Sequence, residues 1–233
     1  MNIRVRFGKE GMLQFIGHLD VLRTFQKIFR RAGLPMSFSQ GFSPHPIMSI
    51  AMPLGLGMTS EGEYLDASLE ADIPVGEILQ RLQTATAENL PVYQVSLLPE
   101  KAGNAMATVG RAVYRFTPRE NSPETAVTLG TAVGSLLAEK SLVILKKTKT
   151  KEAETDIRPL IYRAEWDGTD LTAELSAGSM ANLSPDLFME VLLGRAGRSY
   201  VRSGWLLRRL DLLRADGSSL GDLSACGKEE YRG

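Results

Sequence analysis

The sequence predicts an α+β fold built from two tandem ferredoxin-like (βαββαβ) domains. In residues 1–100 the hydrophobic pattern gives the order strand, helix, strand, strand, helix, strand, and residues 111–213 are read in the same order. The distribution of charge repeats as well. Residues 1–50 hold seven basic and two acidic groups and residues 51–110 two and eight, whereas 111–163 hold ten and six and 164–194 none and six. Such segregation is either the sign of a basic face on a chain of zero net charge, which suits a nucleic-acid or acidic partner, or a chance distribution.

Each element of the first domain has its own local signal. A helix is predicted over 19–32, because apolar residues recur close to a 3.6-residue period and Gly33 with Pro35 follows. Asp72 and Pro74 begin a second helix. The stripe of the first helix is Leu19, Leu22, Phe25, Phe29 and Ala32. The segments predicted to be extended are 2–7, 12–16, 47–54, 63–69 and 92–98.

The second domain carries similar signals. Ser122-Pro123 and Ser184-Pro185 each place an N-capping residue before a proline at the first helical position. Asp167-Gly168 is typical of a hairpin turn. The charged run 146–156 is predicted to be a mobile loop. Extended segments are expected at 113–117, 142–145, 160–166, 171–175 and 201–213, with the domain boundary in 99–111 and a flexible tail at 214–233.

The composition excludes several classes of protein. One cysteine, Cys226, permits no intrachain disulfide and cannot by itself supply a multi-cysteine zinc or iron–sulfur site. No window approaches the roughly 18 apolar residues of a membrane span, and the N-terminus has no apolar signal-peptide core, so we expect a cytoplasmic protein. P-loop, dinucleotide-binding and metalloprotease motifs are also missing from the sequence.

Both histidines of the chain lie in unusual surroundings. His18 stands at the start of the first predicted helix, where Asp20 favours the positive end of the helix dipole. His45 stands between Pro44 and Pro46, which restrict the backbone around it. This loop either presents a functional side chain or is a solvated turn, and both interpretations are kept open.

One face of the first helix carries a row of cations. Their spacing projects them along one side over about two turns, opposite the apolar stripe. Such a row is either a phosphate-contacting strip or a solvated helix face. The candidate nucleic-acid-binding residues are Arg23, Lys27, Arg30 and Arg31, with Gln40, Phe42 and His45 of the following loop. Glu63, Asp156 and Arg158 are candidates for a partner-binding or structural role.

The motifs of the first hundred residues resemble one protein family. The sequence reads Gly17-His18-Leu19-Asp20, then Gln40-Gly41-Phe42-Ser43-Pro44-His45-Pro46, then Pro53-Leu54-Gly55 and Glu63-Tyr64. These runs resemble the radical SAM-linked family of bacterial proteins, whose members commonly have serine at the position of Gly17 and asparagine at that of Ser43. The match is looser over 111–213, where residues 156–160 are the best surviving piece. The resemblance implies a cytoplasmic partner or domain of a radical SAM enzyme.

These observations lead to one function and two alternatives. We expect an accessory RNA-binding module without a cofactor that works with a separately encoded radical SAM enzyme, in RNA or ribosome metabolism. The first alternative is a metal-independent endoribonuclease or RNA-modifying enzyme in which His18 and His45 act as general base and acid. The second is a metal site formed by both histidines with Asp20 or Glu63. Both alternatives require His18 and His45 to share a cleft, and we expect them to converge there with Asp20.

Overall fold

The computed structural model describes residues 1–100, 102–120, 123–147 and 152–223 and has a mixed α and β architecture. Its strands pair in antiparallel fashion where their registers are defined. The helices are α1 (His18–Arg31), α2 (Val75–Ala85), α3 (Ala105–Thr108), α4 (Pro123–Ala138) and α5 (Pro185–Arg195). The strands are β1 (Asn2–Lys9), β2 (Met48–Ile50), β3 (Met58–Ser68), β4 (Val92–Leu97), β5 (Arg111–Pro118), β6 (Val143–Lys147), β7 (Glu152–Asp156), β8 (Ile161–Trp166), β9 (Leu171–Ser176) and β10 (Trp205–Leu213).

The chain divides into two compact units. Unit 1 comprises Met1–Val109 together with Arg209–Gly233, and unit 2 comprises Gly110–Arg208. The first unit is therefore assembled from two separate stretches of sequence, and the second is inserted between them. The sequence predicts domains at 1–100 and 111–213 and does not indicate that the last strand contributes to the first unit.

Unit 1 contains a sheet in the order β4-β1-β3, with β2 also paired to β3 and the end of β10 beside β3. Alternation along β1 buries Ile3, Val5 and Phe7 against the helices. Phe7 meets Phe25 of α1 edge-to-face at 4.6 Å between ring centroids. This core fixes the position of α1 on one face of the sheet.

Unit 2 contains strands in the order β5-β9-β8, with the start of β10 beside β5. Phe116 of β5 packs on Phe188 of α5 with ring centroids 5.8 Å apart. Ser184 caps α5 by accepting a hydrogen bond from the Leu187 amide, as its sequence signal predicts. Strands β6 and β7 form a separate two-stranded sheet.

Several sequence predictions are wrong. Segment 12–16 is not extended, because residues 11–15 form a 3₁₀ turn that opens with Gly11 at φ +52°. The strand expected over 47–54 is confined to β2, since Pro53 cannot donate a ladder hydrogen bond. The charged run 146–156 is predicted to be a mobile loop, but residues 146–147 belong to β6 and residues 152–156 to β7. Residues 148–151, with Lys149 and Lys151, lie outside the described residues.

Residues 214–223, expected to belong to a flexible tail, fold back onto unit 1. Leu220 is fully buried, and its carbonyl accepts a hydrogen bond of 3.1 Å from the guanidinium of Arg4. The hydroxyl of Tyr64 donates to Asp211, and Ser219 contacts both groups. These contacts join the C-terminal stretch to β1 and β3. Residues 224–233, with Cys226, lie outside the described residues.

Gly62 marks a close backbone approach in unit 1. A Cβ atom placed on Gly62 would lie 2.2 Å from the Leu210 carbonyl oxygen and 2.4 Å from the Asp211 Cα atom. Only glycine fits at this position, since both neighbours are backbone atoms. The β3–β10 contact therefore depends on the absence of a side chain at residue 62.

Candidate functional site

Helix α1 separates an apolar face from a cationic one. Val21, Phe25, Ile28 and Phe29 are buried in the core of unit 1. The predicted apolar stripe is partly wrong. Leu19 is 56% exposed, whereas Val21 and Ile28, which the prediction leaves out, are buried. Toward solvent the helix presents Arg23, Lys27 and Arg30, as the sequence predicts. These three cations recur at intervals of four and three residues, which aligns them over about 10 Å of helix.

The three cations form one wall of a groove with a volume of about 600 Å³. The opposite wall comes from the segment that follows α1 and is apolar. It contains Leu34, Pro35, Met36, Phe38 and Pro46, and Phe38 is 49% exposed. We call this feature the cationic groove. Gly33 at φ +64° turns the chain after α1 and brings this segment beside the helix.

The charges of the groove are only partly neutralised. Arg23 forms an exposed ion pair with Asp20 at 3.3 Å. Among the described residues, no ion pair or hydrogen bond of the Lys27 and Arg30 side chains is found. Arg31 is not part of the groove, since it lines a separate depression beside α2 with Arg81. The predicted strip of four cations is thus a row of three.

The loop that carries His45 is held closed at its base. Phe38 and Pro46 form a bridge between its two ends, and the Ser39 amide donates to the His45 carbonyl at 2.9 Å. The Ser39 hydroxyl is hydrogen-bonded to His45 Nδ1 at 2.9 Å and accepts from the His45 amide at 3.1 Å. Gln40 and Phe42 lie exposed at the tip, beyond these contacts.

His45 lines a second cavity, of about 480 Å³, on the other side of Pro46. The cavity also contains Asn2 and Asn104, and we call it the amide cavity. Because Pro46 lines both spaces, the base of the loop separates the cationic groove from the amide cavity.

His18 belongs to a different place in unit 1. It lines a cavity of about 10 Å³ with Lys9 and Glu63, which lie in the core. Lys9 Nζ donates to the Ile16 carbonyl at 2.8 Å. Burial lowers the pKa of Lys9, the nearby Glu63 carboxylate opposes that shift, and Arg209 adds to it. The expected convergence of His18, Asp20 and His45 on one cleft is wrong, because the two histidines line different cavities.

Glu63 has a structural role that sequence reasoning only partly anticipates. Its carboxylate forms a bidentate ion pair with Arg209, in which Nε and Oε1 are 2.8 Å apart. The two side chains are 3% and 1% exposed. Arg209 also donates to the Met52 carbonyl at 2.8 Å. No local signal identifies Arg209, because it lies 146 positions from Glu63 in the sequence.

Asp156 and Arg158 brace unit 2 through backbone contacts. Asp156 accepts hydrogen bonds from the amides of Leu142 and Arg158, which lower the pKa of its carboxyl group. Arg158 donates to the carbonyl of Leu137 in the last turn of α4 and to that of Glu139 just after the helix. Each residue is anchored to the backbone, so neither is available as a flexible binding group.

Metal binding by both histidines receives no geometric support. Within the described ranges, no group of three histidine, cysteine or acidic side chains is arranged to hold a metal ion. Among the helices of that same part of the chain, none is long and apolar enough to cross a bilayer.

Residues 2–185 match the model of one protein family, described as "Uncharacterized protein conserved in bacteria (DUF2344)". The chain belongs to this family. The match includes both histidines, the cationic helix and the Asp156 segment. The family description mentions no radical SAM enzyme, so that part of the resemblance stays an expectation.

One solved structure similar to the chain is titled "Crystal Structure of a Cbf5-Nop10-Gar1 Complex", with a TM-score of 0.43 and 11% sequence identity. The alignment covers 90% of this chain, but the chain spans only 48% of the one it matches. At this TM-score the likeness carries no functional inference. No curated protein matches the sequence.

Proposed function

We propose that this protein is a module that binds single-stranded RNA. The observation that carries the proposal is the cationic groove, in which Arg23, Lys27 and Arg30 face an apolar wall containing the half-exposed ring of Phe38. Cations attract the phosphates of a nucleic acid, and an exposed aromatic ring stacks on unpaired bases. A groove with both features accommodates a strand whose bases are free.

The size of the groove favours a single strand over a duplex. Its volume of about 600 Å³ lies in the range of about 300–1,000 Å³ that holds small ligands. That space suits the width of a nucleotide or two, whereas a duplex offers its bases only at the edges of its grooves. Stacking on Phe38 needs the face of a base, which only an unpaired nucleotide exposes.

The strand order of each unit is compatible with a ferredoxin-like module, and we interpret both units in that way. Unit 1 has its strands in the order β4-β1-β3-β2, and unit 2 has β10-β5-β9-β8, with β6 and β7 inserted after α4. Many RNA-binding domains share this plan, but it also hosts unrelated functions. The fold raises the expectation of RNA binding and does not decide it.

The proposed partner is a separately encoded radical SAM enzyme, in the cytoplasm and in RNA or ribosome metabolism. This part depends on the resemblance of the histidine-containing motifs alone. A radical SAM enzyme needs three cysteines for its iron–sulfur cluster, and this chain has one. The module would therefore present RNA to chemistry carried out by another chain. Catalysis by paired histidines is not favoured, because His18 and His45 line different cavities.

The test compares Arg23→Glu/Arg30→Glu with the wild type for binding of a labelled, mixed-sequence single-stranded RNA by fluorescence anisotropy. We expect the double variant to bind at least about tenfold more weakly and with a smaller salt dependence, because two phosphate contacts are lost. Lys140→Glu/Arg163→Glu makes the same change in charge at exposed positions of unit 2 and serves as the control. Equal weakening by both pairs, or binding that is insensitive to salt, contradicts the proposal.

A further inference from the structure

The amide cavity carries hydrogen-bond donors for which no described residue of unit 1 is an acceptor. Asn2 Oδ1 accepts from the Ser68 hydroxyl at 2.6 Å, and Asn104 Oδ1 accepts from the Met106 amide at 2.8 Å. Each contact engages the oxygen of the side-chain amide and leaves its NH₂ group, for which no acceptor is found among the described residues. Both amides line the cavity.

The His45 ring at the edge of this cavity is held through one of its nitrogens. Ser39 Oγ accepts a hydrogen bond from the His45 backbone amide at 3.1 Å and lies 2.9 Å from His45 Nδ1, and the Ser43 carbonyl oxygen lies 3.4 Å from the same nitrogen. Both of these ring contacts are at Nδ1, so Nε2 is the nitrogen left for a ligand.

The cavity therefore differs in character from the cationic groove. The described lining of the amide cavity includes no lysine or arginine, whereas the groove has three cations. The cavity does include two carboxylates: Asp66, whose oxygens accept from Arg4 and from the Ala105 amide, and the exposed Glu100. Neutral amide donors suit carbonyl oxygens, and cations suit phosphates. The two spaces share Pro46, so a strand that enters the groove can place a neighbouring nucleotide in the cavity.

We propose that the amide cavity binds a keto base, uracil or guanine, of the strand whose phosphates lie in the cationic groove. This inference rests on the proposed function. Uracil O4 and guanine O6 accept hydrogen bonds from the Asn2 and Asn104 amides. Cytosine and adenine carry an amino group at the corresponding position, and that amino group cannot accept a hydrogen bond from the Asn2 or Asn104 amide. The cavity volume of about 480 Å³ is large enough for a base.

The test measures binding of eight-nucleotide oligo(U), oligo(A) and oligo(C) by fluorescence anisotropy. We expect the wild type to prefer oligo(U) about tenfold over the other two. Asn104→Asp keeps the oxygen that accepts from Met106 and replaces the donor with an acceptor, and Asn2→Asp does the same beside Ser68. Each variant alone, and both together, should reduce the preference toward equal affinity.

The control is Asn182→Asp, which makes the same chemical change at an exposed position of unit 2 and should leave the preference intact. If the oligonucleotides bind through Arg23 and Arg30 with equal affinity, or with a preference that both substitutions leave unchanged, the cavity does not select a keto base. The proposal of RNA binding would remain in that case. If no oligonucleotide binds, the proposed function itself fails. Circular dichroism of each variant shows that a lost preference is not lost folding.

Discussion

The buried ion pair between Glu63 and Arg209 makes a quantitative prediction about stability. Arg209→Met removes the guanidinium and leaves the Glu63 carboxylate, 3% exposed, without its bidentate partner. Two charge-assisted hydrogen bonds at about 1.5–3 kcal/mol each suggest a loss of about 3–6 kcal/mol. That agrees with the loss of about 3–5 kcal/mol that accompanies the breaking of a buried pair. Arg209→Met should therefore lower the free energy of unfolding by about 4 kcal/mol.

The pair is tested as a double-mutant cycle. Glu63→Gln keeps the shape of the side chain and leaves the Arg209 charge unpaired. The double variant Glu63→Gln/Arg209→Met has neither charge. It should be less destabilised than the sum of the single variants, with a coupling of at least about 2 kcal/mol.

Urea unfolding followed by circular dichroism and tryptophan fluorescence measures these differences, and Trp205 on β10 reports on the strand that carries Arg209. Arg163→Met is the control, because Arg163 and its partner Glu165 are 70% and 59% exposed and should contribute less than about 1 kcal/mol. Single variants that cost less than about 1 kcal/mol, or costs that simply add, would refute the reasoning.

Two further predictions concern backbone packing and titration. Gly62→Ala should destabilise the protein by more than about 2 kcal/mol in urea unfolding, because the new methyl group would overlap the backbone at Leu210 and Asp211. Gly134→Ala, in α4 with open space around it, should instead stabilise by about 0.5–1 kcal/mol, so equal effects of the two substitutions would contradict the close approach. Burial lowers the pKa of Lys9 in the folded protein below 10.5, so the unfolded protein binds this proton more tightly than the folded one. The free energy of unfolding of the wild type, relative to that of Lys9→Met, should therefore rise as the pH increases toward 10.5. A difference that stays flat or falls over that range would show that Lys9 is not desolvated as described.

Local sequence signals predict those parts of the fold that depend on local interactions. The Ser184-Pro185 signal locates α5, and the apolar period with Gly33 locates α1 within one residue of its ends. The stripe of α1 is less accurate, since Leu19 and Val21 are both apolar and only tertiary packing selects which is buried. Helix boundaries depend on neighbouring residues, whereas the choice of the buried face depends on the sheet.

The candidate site also has features that local sequence predicts and features that it does not. The spacing of Arg23, Lys27 and Arg30 on a helix is enough to predict a cationic row. The wall that turns this row into a groove depends on how the segment after α1 folds back beside the helix. The hydrogen bond that orients Asn2 joins it to the distant Ser68, whereas the one that orients Asn104 is local. The separation of His18 from His45 is likewise set by the path of the chain through unit 1. Residue type and spacing alone place both histidines equally well in one cleft or two.

The assembly of unit 1 from two separate stretches affects how the protein can fold during synthesis. Tyr64 leaves the ribosome 147 residues before Asp211, its hydrogen-bond partner, and Glu63 precedes Arg209 by 146 residues. At about 5–20 residues per second, the interval is roughly 7–30 s. Throughout that time the nascent first unit lacks β10, the strand that pairs with β3, and the Arg209 guanidinium that neutralises Glu63. Unit 2 is translated in the meantime, so the final step of folding returns to the oldest part of the chain.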